Sequence, residues 1–268
     1  MRTPLLLLLA SAALTGCQSG QTATRFEYTS VADIQWGDLN PARGDQSPRA
    51  ADLWGDRTQD TATGFLVKFK DGFSSPPHIH NVTYRGVVID GNVHNDVPSA
   101  ELLWMPPGSY WVQPAGGNHI TAARGESNLA YIEIDHGPYH VQPPEQAHDS
   151  PDRAINITPS DLAWTDRSDG VQTVSLRDGA NGNGPKAAFL KLPSGFSGTL
   201  RTHGASFRAV VIEGELSVPK ALEADTAVLR PGSYFGTKGT SEIQIDVHAG
   251  ASCTLYVRAE GHYELNSP

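Results

Sequence analysis

The chain alternates between short apolar runs and turn residues, and it shows no convincing helical period. The run Phe65–Phe69, for example, is mostly apolar and is followed by the turn dipeptide Asp71-Gly72. Short strands bounded by glycine and proline at regular spacing are typical of β-sandwiches and β-barrels. The sequence therefore predicts an all-β fold.

The two halves of the chain repeat each other. Gly72-Phe73-Ser74 recurs as Gly195-Phe196-Ser197, and matching strands follow both copies. Because Gly72 and Gly195 are about 120 residues apart, each copy is too long to be a solenoid unit, and the two copies indicate a duplicated domain. Prolines between residues 143 and 159 cannot continue a central strand and mark the joint. We therefore predict an N-terminal domain at residues 28–145 and a C-terminal domain at residues 146–268.

The first residues have the pattern of a targeting signal. A basic start precedes the leucine-rich run 4–13, which is too short to span a bilayer. Leu14-Thr15-Gly16-Cys17 then resembles the bacterial lipoprotein signal, which implies a signal peptide at 1–16, a lipid on Cys17 and a tether at 17–27. Gln18 stands where this class carries an aspartate for inner-membrane retention. The resemblance thus implies an exported protein anchored to the cell envelope by lipid alone, at the periplasmic face of the outer membrane in a Gram-negative cell. The alternative is an ordinary secretory peptide in which Cys17 is incidental.

Charge and cysteine content narrow the partners. The formal net charge of −9 repels phosphate backbones, so nucleic acid is not expected as a partner. Cys253 is the only cysteine besides Cys17, so no internal disulfide is expected. Because Cys253 alternates with Leu255 and Val257, the thiol is predicted on the buried face of a strand.

Two segments of the first copy contain candidate metal ligands. His78 and His80 would point to the same face of a strand, and Tyr84 shares their parity. Two imidazoles arranged in this way can bind one cation, each at about 2.0–2.1 Å. The triplet alone is equally consistent with two surface or capped histidines. A second segment, Pro107–His119, ends in the pattern P-x-G-x-x-H and adds a third histidine.

The two segments together resemble the cupin superfamily. The first cupin motif consists of a glycine, H-x-H, a glutamate and a second glycine. The chain has Gly72, His78, His80 and Gly91 at this spacing, with Tyr84 at the position of the glutamate. The second motif, P-x-G-x-x-H, is matched by Pro114, Gly116 and His119. The resemblance covers both halves and implies a bicupin, two tandem small jelly-roll β-barrels of the RmlC-like kind. Within the superfamily the chain is similar to uncharacterised bicupins related to ChrR-type cupins.

The resemblance implies a metal site with one departure. His78, His80 and His119 would bind one divalent ion, Fe, Mn, Zn or Ni, in the N-terminal domain. Tyr84 replaces the usual glutamate; a phenol is a poor ligand, so we expect a weak fourth ligand or a hydrogen-bond donor beside the ligands. Three neutral imidazoles leave coordination positions open for water, substrate or dioxygen. Three-histidine cupins include thiol and diketone dioxygenases, so the resemblance implies oxygen chemistry on a small molecule.

The second copy has lost this site. Arg201 replaces His78, Phe207 replaces Tyr84, and Glu242 stands near the position of His119, so only His203 survives. A guanidinium opposes a cation, and the C-terminal domain is therefore predicted to be structural or to bind an anion through Arg201 and His203. The alternative is that Arg201 extends into solvent.

The other polar positions give weaker signals. His136 and His140 lie in a predicted turn and are expected in solvent. Arg85 and Arg208 follow inward residues and should face outward, either into solvent or into a salt bridge between barrels or subunits.

Three functions are consistent with the sequence. The first is a metal-dependent enzyme, the second a non-catalytic ligand-binding or sensor module of the cell envelope, and the third a structural envelope protein without metal. The retention of all three histidines in one copy argues against the third. Cupins often pair as dimers, so the family resemblance also implies a homodimer.

Overall fold

The computed structural model describes residues 25–179, 184–220 and 225–267, and their regular structure is almost entirely β-strand. This confirms the predicted all-β class. The predicted signal peptide and Cys17 lie outside the described residues. The strands are β1 (Arg25–Thr29), β2 (Gly37–Asp38), β3 (Arg49–Trp54), β4 (Thr63–Phe69), β5 (Ile79–His80), β6 (Tyr84–Asp96), β7 (Tyr110–Gln113), β8 (Ile120–Ile134), β9 (Val141–Gln142), β10 (Ile155–Ile157), β11 (Thr165–Asp166), β12 (Gln172–Arg177), β13 (Lys186–Leu192), β14 (Ser197–Glu213), β15 (Leu216–Pro219), β16 (Thr226–Leu229), β17 (Tyr234–Lys238), β18 (Ser241–Val247) and β19 (Cys253–Asn266). Short 3-10 turns occupy Pro41–Gln46, Pro144–Gln146 and Pro159–Asp161.

The first barrel is an antiparallel jelly roll that contains the predicted histidines. Its larger sheet has the order β10-β7-β6-β8-β4-β3-β2, and β5 pairs with β9 in a small second sheet. The long strands β6 and β8 pair along two stretches separated by register shifts, which lets both strands bend around the core. That core is apolar and includes Phe65, Val67, Val88, Trp111 and Ile132.

The second barrel repeats this plan with an apolar interior. Its sheet has the order β11-β12-β13-β19-β14-β18-β15-β16, and β17 pairs with β14. Phe207 stands at the position that corresponds to Tyr84 and packs into the core with Leu200 and Phe235. Cys253 is fully buried there and burial raises the pKa of its thiol to about 12, which confirms its predicted place on an inward face.

Each barrel takes an edge strand from beyond the predicted joint. β1 precedes the first barrel in the chain but pairs with β17 of the second, and β10 lies after residue 146 but pairs with β7 of the first. The strand pairing therefore does not follow the predicted boundary between residues 145 and 146. In addition, β1 contains residues 25–27, the last residues of the predicted tether 17–27. Short edge strands are recruited by backbone hydrogen bonds, which no side-chain pattern reports.

An apolar layer joins the two barrels. It includes Trp54, Tyr110 and Tyr131 from the first barrel and Phe189 and Tyr256 from the second. Burial of such aromatic side chains is the main stabilising contribution at this boundary.

Charged side chains border this layer, and Arg85 is one of them. Arg85 is buried and bonds Asp135 of the same barrel at 3.1 Å. Asp135 also pairs with two arginines of the second barrel, Arg177 at 2.8 Å and Arg258 at 2.6 Å. Arg85 therefore neither extends into solvent nor pairs across the barrels itself; its salt bridge lies within the first barrel, and Asp135 makes the ion pairs with the second. Burial opposes ionisation of Asp135, but these arginines hold the pKa of its carboxyl well below its usual range.

The described residues include no helix with the length and apolar character needed to cross a membrane.

Candidate metal centre

Strand pairing brings the three predicted histidines together. His80 ends β5, and His78 forms an isolated bridge with His119 in which each backbone N–H donates to the other carbonyl at 3.0 Å. His78, His80 and His119 are 8%, 2% and 0% exposed, so all three side chains face the interior. The structure thus brings the H-x-H pair and the distant histidine into one buried group.

Each imidazole is held through its Nδ1 atom. Nδ1 of His78 lies 3.0 Å from the Pro76 carbonyl oxygen, that of His80 lies 3.1 Å from the His140 carbonyl, and that of His119 lies 2.9 Å from the Gly117 carbonyl. A carbonyl oxygen only accepts, so each Nδ1 carries the proton and each Nε2 presents a lone pair. This arrangement fixes the tautomer that a metal ligand requires.

The three rings form one compact group. Their centroids are 5.0 Å apart for His78 and His80, 4.3 Å for His78 and His119, and 5.3 Å for His80 and His119. One ring nitrogen from each residue lies within 4.8 Å of one from each of the other two. Within the described residues, this is the one group of three such potential metal ligands. Three imidazoles this close together can present their nitrogens to one common ion, which such nitrogens bind at about 2.0–2.1 Å.

Burial keeps these histidines neutral. Loss of water lowers the pKa of all three imidazoles, that of His119 to about 3, and the neighbouring imidazoles lower the pKa of His80 and His119 further. Neutral imidazole is the form that binds metal. The group is therefore prepared for a cation at neutral pH without first releasing protons.

Tyr84 acts as a hydrogen-bond donor in this structure. Its hydroxyl donates to Asn95 Oδ1 at 2.8 Å and lies 3.3 Å from His119 Nε2. Burial raises the pKa of the phenol above its usual value, so the hydroxyl stays protonated. Of the two roles expected for Tyr84, the geometry favours the donor over the fourth ligand.

Several polar residues around the site were missed by the sequence analysis. Asn95 Oδ1 also accepts from Thr121 Oγ1 at 2.8 Å, and Asn95 Nδ2 donates to Gln113 Oε1 at 3.0 Å. Tyr139 stacks on His80 with ring centroids 4.4 Å apart, and its hydroxyl lies 3.2 Å from His80 Nε2. No alternation marked the amides, because Asn95 and Gln113 lie in stretches of β6 and β7 that are buried at consecutive positions, and Tyr139 lies in a loop.

The change Tyr84→Phe separates the two roles of this residue. We expect the free energy of unfolding to fall by about 1 kcal/mol, because one buried hydrogen bond is lost while Asn95 keeps Thr121 as a donor. Metal content should stay at the wild-type value, measured by elemental analysis. Tyr110→Phe is the matched control, since it removes a buried hydroxyl without a hydrogen-bond partner among the described residues. Loss of metal from Tyr84→Phe alone would identify the phenol oxygen as a ligand.

A mostly apolar cavity of about 330 Å³ opens onto two of the histidines. Its walls include Val67, Phe69 and Ile132 from the first sheet, and His78, His80 and Tyr84 form its polar end. Residues 141–144 of the segment between the barrels also line it. A cavity of this size and character suits a small organic molecule placed against the metal-binding group.

The predicted anion site of the second barrel does not form in its interior. Arg201 and His203 are both exposed, and the buried residue between them is Thr202. Arg201 lies opposite Glu242 across β14 and β18 and pairs with it at 3.1 Å on the surface. This pair corresponds to the bridge between His78 and His119, so a surface ion pair replaces two of the ligand positions.

Of the remaining candidates, the two histidines behave as expected and Arg208 does not. The side chains of His136 and His140 are exposed, in agreement with the prediction for a turn. Arg208 does not extend into solvent; its guanidinium lies 4.2 Å from the ring centroid of Trp54 in the other barrel.

Comparison with solved structures shows the same architecture in enzymes. A salicylate 1,2-dioxygenase from Pseudaminobacter salicylatoxidans aligns with a TM-score of 0.62 at 13% identity over 96% of this chain and 92% of its own. A candidate dioxygenase from Nostoc punctiforme gives 0.69 at 14% identity over 91% and 87%, and an oxalate decarboxylase from Lactobacillus farciminis gives 0.60 at 12% identity over 90% and 88%. At this identity the likeness establishes the fold, and it confirms the predicted tandem cupin barrels.

Comparison at the level of sequence gives the family. No curated protein matches the chain. A family model described as a domain of unknown function, DUF4437, matches residues 27–266 and so spans both barrels. This two-barrel cupin protein therefore belongs to the DUF4437 family.

Proposed function

We propose that the first barrel is a mononuclear metal enzyme that acts on a small organic molecule, with an oxygenase reaction as the specific form. The observation that carries the proposal is the convergence of three buried imidazoles, each oriented through Nδ1, two of which line the polar end of an apolar cavity. The fold shared with a salicylate dioxygenase and with an oxalate decarboxylase supports this class of chemistry.

The donor set fits a divalent cation. His78, His80 and His119 would hold it through Nε2, and no carboxylate joins the group within the described part of the chain. When bound, the metal would supply Lewis-acid or redox chemistry at positions that the protein leaves open. Three neutral ligands suit Fe, Mn, Zn or Ni, and the Mn(II) centres of Bacillus subtilis oxalate decarboxylase, which has the same fold, favour manganese among these.

The residues around the group prepare it for substrate. Asn95 accepts a hydrogen bond from the Tyr84 hydroxyl and so holds that hydroxyl beside His119. The Tyr139 ring covers one face of the His80 imidazole. The apolar walls exclude water from the open side, which strengthens electrostatic interactions with a polar group of the substrate.

The cellular location is part of the proposal and rests on the sequence alone. The run at residues 4–13 followed by Leu14-Thr15-Gly16-Cys17 supports export and a lipid anchor on Cys17. From this proposal it follows that the substrate is a small molecule of the cell envelope and that the protein attaches to the membrane through lipid alone. The likeness to cupins separately supports a homodimer.

Oxygen consumption tests the catalytic form of the proposal. Protein loaded with Fe(II) or Mn(II) is mixed with small thiols, diketones and carboxylates in an oxygen electrode. We expect uptake above the metal-in-buffer background for the wild type and for His203→Ala, whose residue is the exposed counterpart of His80 in the second barrel. The variant His80→Ala should show background uptake only. Metal-loaded wild type that binds a ligand but consumes no more oxygen than His80→Ala would instead favour the non-catalytic binding module.

A further inference from the structure

One positive charge stands on the otherwise uncharged wall of the cavity. Arg43 is the single arginine, lysine, aspartate or glutamate among the residues that line it within the described chain. It lies in the 3-10 turn Pro41–Gln46, outside both cupin motifs, and its guanidinium lies 5.6 Å from the ring centroid of Phe73 on the same cavity. A cation facing an apolar cavity is costly unless something balances it.

The charge of Arg43 is not balanced by an ion pair in the described structure. The two fully buried arginines have carboxylate partners: Arg85 bonds Asp135, and Arg258 bonds Glu133 at 2.8 Å. Arg43 is half-buried, and its described contacts are the cation–π contact with Phe73 and the hydrogen bond that its backbone N–H donates to the Asn40 carbonyl. Its guanidinium therefore keeps unused donors in a protein whose formal net charge is −9.

Arg43 lines the same cavity as His78 and His80 of the metal-binding group. In the same turn, the backbone carbonyl of Asp45 accepts from Lys70 Nζ at 2.7 Å, so one carboxylate and one ammonium group accompany Arg43 on the outer side. A carboxylate bound by Arg43 would therefore share the cavity that the metal-binding group borders.

We propose that Arg43 binds the carboxylate of the substrate, so that the enzyme acts on small organic acids with an apolar, preferably aromatic, body. A carboxylate accepts two parallel hydrogen bonds from one guanidinium, which a single arginine can supply. The body of the acid would pack against Phe69, Phe73 and Val67, with its far end toward His78 and His80. A cavity of about 330 Å³ is at the small end of ligand-binding cavities, which suits a small organic acid.

The inference rests on the proposed function, because it names the substrate class of the same site, and its test separates the two. Benzoate and 3-phenylpropanoate are titrated into the full protein with and without bound metal, each against its neutral amide, by ligand-detected NMR. We expect at least one acid to bind the wild type more tightly than its amide. Arg43→Gln should weaken that acid about 10- to 100-fold, the value of a hydrogen-bonded charge, and leave the amide unchanged. Arg43→Lys should retain part of the affinity.

The control is Arg153→Gln, which makes the same change in net charge at an exposed arginine that does not line the cavity. Metal content of every variant is measured by elemental analysis. Equal binding of the acid by wild type and Arg43→Gln, or no preference of the wild type for either acid over its amide, would overturn the inference even if metal binds. Acid binding that depends on Arg43 in a protein that takes up no metal would uphold the anion site and refute the proposed enzyme.

Discussion

Replacing Arg258 with methionine is expected to lower the free energy of unfolding by about 3–5 kcal/mol. Arg258 is buried between the barrels, where its guanidinium bonds Glu133 at 2.8 Å and Asp135 at 2.6 Å. Glu133 is 1% exposed, and without Arg258 its remaining side-chain hydrogen bond is the one from Tyr131 at 3.2 Å. The cost arises because an ionised carboxylate would stay buried without a counter-charge.

Denaturant unfolding measures this effect, and two further variants identify its cause. Arg201→Met removes a guanidinium from the exposed pair with Glu242 and should change stability by no more than about 1 kcal/mol. Arg258→Met combined with Glu133→Gln removes the unpaired charge and should recover a large part of the loss. If the single variant Arg258→Met is as stable as the wild type, the charged cluster does not hold the barrels together.

The fold and the metal-binding group could be predicted because their signals are short and periodic. The H-x-H pair places two imidazoles on one face by strand geometry alone, and the repeat of Gly72-Phe73-Ser74 in the second half reveals the duplication. His119 was found through its motif spacing. The decay of the second copy was also visible, since Phe207 and Arg201 cannot replace a hydroxyl and an imidazole.

What could not be predicted depends on contacts between distant residues. No sequence pattern states that Arg258 meets Glu133, because the partners lie on different strands whose register is set by the whole sheet. The same reason applies to Arg43, which reaches the cavity from a turn outside the barrel motifs. Nor does any pattern state that Asn95 accepts from Tyr84, because both lie on β6 and the register shifts between them alter which face each residue occupies. The sequence left two positions open for Arg201, and the outward one is found because the inward parity of the first copy does not hold at this point of the second.

The second large effect concerns the metal. His80→Ala or His119→Ala removes one of three ligands, and we expect metal content to fall from about one ion per chain to near zero after dialysis. His203→Ala makes the same substitution at the exposed counterpart of His80 and should keep the wild-type content. Unfolding curves of the metal-free proteins show whether the variants are folded, so that loss of metal can be separated from loss of structure.

The most direct test of the three-imidazole centre is X-ray absorption spectroscopy on the wild-type protein with its bound metal quantified in the same sample. The structure predicts one ion per chain with three imidazole nitrogens at about 2.0–2.1 Å if the ion is zinc, and the remaining positions occupied by water or small ligands. Fewer than three imidazoles, or the same spectrum and metal content in His119→Ala, would contradict it.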